Sequence, residues 1–262
     1  MFYKDLGGFM GDFGSFNGNY AGDFAQNPTI VDSQATYVRE QAERVSVRRV
    51  YAEMTVGLIV TTLVAMFTQS TGALYSYLYA TGRFGFFGII IAQVVLAVVL
   101  GMRVMKMSVF AARAMFYAYA ALTGFTLSTI FTVFSLGSIA MVLALTAGFF
   151  LCLTMLALTT KVNMLKAGPI LMVALLVLCV SQVILMFVAP SAGTMRFIAA
   201  IAVLIFAGLT AYDAQKTRAI FEAYANQPEM IKRVSIICAF NLYLDFINMF
   251  VYLLELLGNR RD

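Results

Sequence analysis

Residues 235–258 read SIICAFNLYLDFINMFVYLLELLG, a run of twenty-four residues with an acid, Asp245, near its middle and Glu255 near its end. About 20 apolar residues in a helix cross the ~30 Å hydrocarbon core of a bilayer, so this run is long enough to span. At 100° per residue, Asn241, Asn248 and Tyr252 all fall within about 60° of Asp245. Ile236, Phe240, Leu244, Phe246, Ile247, Phe250, Val251 and Leu254 occupy the other faces. A stripe this polar is expensive in lipid and belongs in a bundle interior or a water-filled cavity. The last helix is therefore expected to be central.

A second acid lies in the preceding apolar run, residues 198–215, IAAIAVLIFAGLTAYDAQ, with Asp213 near its end. Placing a carboxylate in such a segment costs at least ~2–3 kcal/mol, which makes each acid a candidate functional site.

Composition points the same way. Of the 262 residues, 61% are hydrophobic and only 12% charged, against roughly 25% charged in soluble domains. The fold class expected is an all-α integral membrane protein. Tyrosine and phenylalanine, 13 and 23 of them, supply interfacial aromatics in a chain without tryptophan. The net charge of +5 is too small to suggest nucleic acid. Cys152, Cys179 and Cys238 all sit in apolar runs and match no metal motif. No histidine is present, which removes imidazole as ligand, base or pH sensor and leaves proton-linked behaviour to carboxyl groups.

Residues 1–35 form a Gly/Phe/Asn-rich tail whose composition predicts disorder and lacks the pattern of a signal peptide. Residues 36–49 predict a polar helix entering the membrane domain, 36–262. Seven spans are expected, over about 50–69, 86–106, 111–134, 138–159, 168–189, 195–217 and 234–257, with only LGS separating the third from the fourth.

Basic residues set the orientation. With the N-terminus inside, the inner segments carry Lys4, Arg39, Arg44, Arg48, Arg49, Arg103, Lys106, Arg113, Lys161, Lys166, Lys216, Arg218, Lys232 and Arg233. The outer ones carry Arg83, Arg196, Arg260 and Arg261. Fourteen against four is a strong positive-inside signal and predicts a cytoplasmic N-terminus and an external C-terminus. Asp213 and Asp245 then both approach from the inner side. Side-by-side packing of the last two helices would let them meet and share one proton over part of the physiological pH range.

Other polar groups have two readings each. Glu53, one turn into the first span, either snorkels to the interface or adds a cation-attracting charge. Arg103 either latches onto Asp213 or is an ordinary inner basic residue. Gln93, Ser181 and Gln182 read as interhelical hydrogen-bond formers, and Thr123, Gly124, Thr126, Ser128 and Thr129 as a small-residue packing face.

Several strings resemble a known family. Ala211-Tyr212-Asp213-Ala214-Gln215 and Leu242-Tyr243-Leu244-Asp245-Phe246-Ile247-Asn248 resemble the C-terminal signature of the Bax inhibitor-1, or transmembrane Bax inhibitor motif, family. Val50 to Leu58, Leu122 to Leu127 and the ending Leu257-Gly258-Asn259-Arg260-Arg261 are similar to its bacterial members. The resemblance covers about residues 45–262. It implies a seven-helix bundle around a central last helix in the bacterial inner membrane. It also implies a pH-sensitive calcium leak with Asp213 and Asp245 as sensor and calcium contacts, and a basic latch matched by Arg103. No cofactor is expected beyond calcium as the transported ion; the partners are the lipid bilayer and a membrane-protein partner. The chain departs from the family's Lys-Lys-Asp turn with Lys161-Val162-Asn163, and has a long segment from Lys216 to Arg233, expected as an extended inner loop.

Three other functions share features with this sequence. Intramembrane aspartyl proteases also carry a Tyr-Asp pair, but Asp245 lacks the Gly-x-Gly pattern and Pro190 is followed by Ser191 rather than Ala, so no enzyme is expected. A retinal protein needs a lysine in its last helix, and 234–257 has none. A non-conducting multipass regulator of another membrane protein remains the alternative.

Overall fold

The computed structural model describes residues 33–185, 187–188, 190–224 and 227–261, with side chains from Val47 onward apart from Arg83. The expected disordered tail, 1–35, lies almost entirely outside the described residues. Glu43–Asp262 forms one compact unit.

Seven long helices make up the fold: α1 Ser33–Thr71, α2 Ala73–Arg103, α3 Val109–Leu127, α4 Leu136–Thr159, α5 Gly168–Leu185, α6 Ala192–Ala223 and α7 Pro228–Leu257. Among the described residues there is no strand beyond an isolated bridge between Phe134 and Arg260. Among the described residues, seven segments are long and apolar enough to cross a membrane: Val47–Thr71, Phe84–Lys106, Val109–Val133, Leu136–Thr159, Met164–Leu185, Ala192–Ala223 and Pro228–Leu257. The chain is an all-α membrane bundle.

Two boundaries differ from the sequence expectation. The break after the third span falls at Phe134, not at LGS. Ser135 Oγ accepts from Ser138 N–H and caps α4, so Leu136-Gly137-Ser138 become its first turn. The segment Lys216 to Arg233 is not an extended loop. α6 continues to Ala223, α7 begins at Pro228, and only 224–227 separates them. The polar sequence continues as helix because Arg218 pairs with Glu222 and Lys232 with Glu229 at helical spacing. Pro228 stands in the first turn of α7, where its missing N–H costs nothing.

α7 is the centre of the bundle, with 67% of its span buried by protein against 11% for α5 and 17% for α2. It packs along α6, α4 and α3, while α5 packs on α6. The hydroxyl of Tyr243 lies 2.7 Å from Thr61 Oγ1, which lies 2.9 Å from the Ala120 carbonyl. One threonine thus joins α1, α3 and α7. Phe116 and Tyr119 pack edge-on against the same tyrosine and against Phe240. The far end of α7 is tied down by its own tail: Ser135 N–H donates to the Asn259 carbonyl and Arg261 N–H to that of Val133.

Close approach of α1 and α3 depends on Gly124, where a Cβ would stand 2.3 Å from the Thr61 carbonyl oxygen. Gly124→Val is expected to lower the thermal midpoint of the detergent-solubilised protein, costing at least the ~1–3 kcal/mol of overpacking. Gly148→Ala, whose Cβ meets nothing within 4 Å, is expected to leave the midpoint unchanged or slightly raised.

Candidate functional site

The two acids meet. Asp213, from the latter half of α6, is 7% exposed and Asp245, at mid-α7, is 4% exposed. Their carboxyl groups lie within hydrogen-bonding reach of each other, and Asn241, one turn before Asp245, reaches Asp213. Asp245 Oδ2 is buried without a hydrogen-bond partner. Two carboxyl groups this close in a low-dielectric interior hold a shared proton or a cation, since two bare charges would repel strongly.

Helical phase explains how α6 delivers Asp213. Gln215 lies two residues on, about 200° around the helix, and so faces the opposite neighbour. Its amide donates to the carbonyls of Ala157 and Val162 at 2.8 and 2.9 Å, and its oxygen accepts from Met164 N–H at 2.8 Å. This side chain pins α6 to the turn between α4 and α5 while Asp213 points to α7. Gly168 permits the same approach, since a Cβ there would collide with the Tyr212 ring at 2.5 Å. The Lys216 ammonium acts on Asp213 from one turn away and lies 5.3 Å from the Tyr212 ring centroid.

A cavity of about 370 Å³ starts at the pair and runs between α5, α6 and α7. The polar stripe of α7, Asn241, Asp245, Asn248 and Tyr252, lines it, together with Gln182 of α5. Met172, Leu175, Leu178, Phe206, Leu209 and Leu244 supply apolar wall. Phe206 and Tyr252 stack at the far end with centroids 6.0 Å apart.

Arg103 and Glu53 lie elsewhere. Arg103 is exposed at the end of α2, and among the described residues no hydrogen bond or ion pair joins it to Asp213. The basic residue that secures this end is Arg233 of α7, whose Nη1 donates to the Met105 carbonyl at 2.7 Å. Glu53 is not a lining residue and does not snorkel. It is buried at 8% exposure against Arg113 of α3, which donates to it through Nε at 2.9 and 3.1 Å and through Nη2. The Tyr117 hydroxyl donates to the same carboxylate at 2.5 Å. In the sequence Arg113 stands out only as an inner topology charge. No spacing along the chain pairs them, because Glu53 and Arg113 lie 60 residues apart. Gln93 donates to Thr123 Oγ1 at 3.3 Å across α2 and α3.

A protein-family profile described as "Inhibitor of apoptosis-promoting Bax1" matches residues 43–262. The chain belongs to the Bax inhibitor-1 family. It is 38% identical to the inner membrane protein YbhL of Escherichia coli over 91% of its own length and 99% of the relative's. It is 36% identical to an uncharacterised protein of Deinococcus radiodurans over 84% of this chain and 92% of the other. A further uncharacterised protein, from Borreliella burgdorferi, is 33% identical over 82% and 91%. With seven apolar helices and an inner-membrane relative, this Bax inhibitor-1 family member is a multipass inner-membrane protein.

The Glu53–Arg113 clamp generates a stability prediction. Glu53→Gln and Arg113→Gln each leave a partner unsatisfied, and Arg113, with its side chain 43% exposed, tolerates this better than Glu53. The double variant is expected to lose less than the two singles combined, by ~1–2 kcal/mol, in denaturant unfolding. Strict additivity would show that the clamp contributes nothing.

Proposed function

We propose that this protein is a pH-sensitive calcium leak channel gated by the Asp213–Asp245 pair. The observation that carries the reading is the burial of both carboxyl groups, in contact, at one end of a cavity striped with polar side chains. With one proton shared, the pair holds α6 against α7. Loss of that proton leaves two like charges that push the helices apart or draw in a cation. Lys216, Cys238 and Asn241 are among the polar groups that act on Asp213 beside Asp245, and no histidine takes part.

The donor chemistry suits a passing hard cation. Calcium takes 6–8 oxygen ligands; Asp213, Asp245 and Asn241 supply only part of that set, so a calcium ion keeps much of its water and leaves readily. Among the described residues no group of three or more His, Cys, Asp or Glu stands ready to retain a metal. On α7 the cavity extends from Asn241 to Tyr252, about 16 Å at 1.5 Å per residue against a ~30 Å hydrocarbon core. In this reading the arrangement is the closed one, and the acids serve as gate and cation contact rather than as catalytic groups.

Purified protein in liposomes is expected to pass calcium in a pH-dependent manner, read with an entrapped calcium dye. Asp213→Asn and Asp245→Asn are expected to flatten the pH profile. Variants that titrate like the wild type would remove the pair as sensor. Absence of flux at every pH would favour a non-conducting regulator of another membrane protein.

The same reading places the N-terminus in the cytoplasm and the C-terminus outside, supported by the fourteen-to-four distribution of Lys and Arg. An alkaline phosphatase fused after Asp262 is expected to be active in cells, and a green fluorescent protein there to be dark. The reverse pattern would invert the topology.

A further inference from the structure

We propose that the cleft between α5 and α7 is a binding site for a small lipophilic cation, an ammonium head on an apolar body, that enters from the bilayer. Three independent features point to this chemistry. The first is the end of the cleft. Asp213 and Asp245 sharing one proton carry a single negative charge, and Asp245 Oδ2 is a buried acceptor with no donor. An ammonium group has three N–H donors and no acceptor. The oxygens of the two carboxyl groups and of the Asn241 amide provide that number of acceptors and a matching charge. A divalent ion needs roughly twice as many oxygen ligands.

The second feature is the wall. Beyond the acids it is mostly apolar, through Leu175, Leu178, Leu209 and Leu244, and ends on the stacked rings of Phe206 and Tyr252. Such a wall accepts hydrocarbon arriving from lipid without cost and offers a hydrated ion little. From Asp245 to Tyr252 is about 10 Å along α7 at 1.5 Å per residue, the reach of an arylalkylamine. The volume, about 370 Å³, lies within the range of small-molecule sites, ~300–1,000 Å³.

The third feature is the way in. α5 packs along α6 rather than along α7 and is the least buried of the seven spans, at 11%. The cleft therefore opens sideways between α5 and α7. Met172, 39% exposed, and the exposed Cys179 both line the cleft and stand at that opening. A solute dissolved in lipid reaches the acids along this route without crossing a polar face.

The proposal uses the same two acids as the calcium reading but does not rest on ion passage. The test is a calorimetric titration of the intact detergent-solubilised protein with phenylbutylamine, and with the uncharged phenylbutanol as its isostere. Saturable binding of one amine is expected, at least about tenfold tighter than the alcohol, a difference of about 1.4 kcal/mol. Asp245→Asn is expected to abolish that preference while leaving alcohol binding unchanged. Asp213→Asn is the second variant if the first does not fold. Peptide-level mass spectrometry after maleimide treatment is expected to show Cys179 protected by the amine, and Cys152, exposed on α4, unprotected. Equal affinity for amine and alcohol, no saturable amine binding, or an amine preference that survives in a folded aspartate variant would each overturn the proposal. Amine binding without calcium flux would leave this site standing and remove the channel reading; flux without amine binding would do the converse.

Discussion

Two carboxyl groups held against each other inside a bundle of apolar helices are the constraint from which the remaining structure follows. An isolated charge at that depth costs at least ~2–3 kcal/mol, and two adjacent charges cost more. The surrounding fold must therefore fix their separation and limit their access to water. It does so with polar contacts on the outer sides of the two helices. Gln215 fastens α6 to the α4–α5 turn, and Tyr243 fastens α7 to α1 and α3 through Thr61. Asp213 and Asp245 are thus pressed together from both sides.

This arrangement separates a rigid half from a looser one. On one side of α7, α1 and α3 approach closely at Gly124 and are clamped by Glu53, Arg113 and Tyr117, with aromatic rings filling the space between. On the other side, α5 packs chiefly on α6 and leaves a cavity beside the polar stripe of α7. Polar residues in the first half satisfy one another and stabilise. Polar residues in the second face open space, and Asp245 Oδ2 lacks a partner altogether. Function is expected where hydrogen-bonding capacity is left over, and both the cation reading and the amine reading draw on that surplus.

The sequence was a good guide wherever the physics is local or one-dimensional. Span number follows from the length of apolar runs against bilayer thickness, and the α7 stripe from helical phase, so both could be read directly. Asp213 and Asp245 stood out by cost alone. The reading faltered at polar stretches and partners. Lys216 to Arg233 looked like a loop because it is polar, yet paired charges at helical spacing keep most of it helical. Arg103 looked like a latch because its depth matched Asp213, but equal depth says nothing about which helices are neighbours. Glu53 had a partner that no spacing along the chain reveals, because Arg113 lies 60 residues away.

Sequence by itself therefore determined that the chain is a seven-helix membrane bundle, and which faces of its last helix must avoid lipid. Those properties depend on hydrophobicity and on a fixed 100° step per residue. Only the tertiary structure decided that the two acids touch, that Gln215 rather than Arg103 steadies Asp213, that Glu53 belongs to a separate clamp, and that a cavity lies between α5, α6 and α7. Each of these turns on which helices pack side by side and at what rotation. That is settled by many weak contacts spread over the whole bundle, Gly124 against Thr61 among them, and by no single segment.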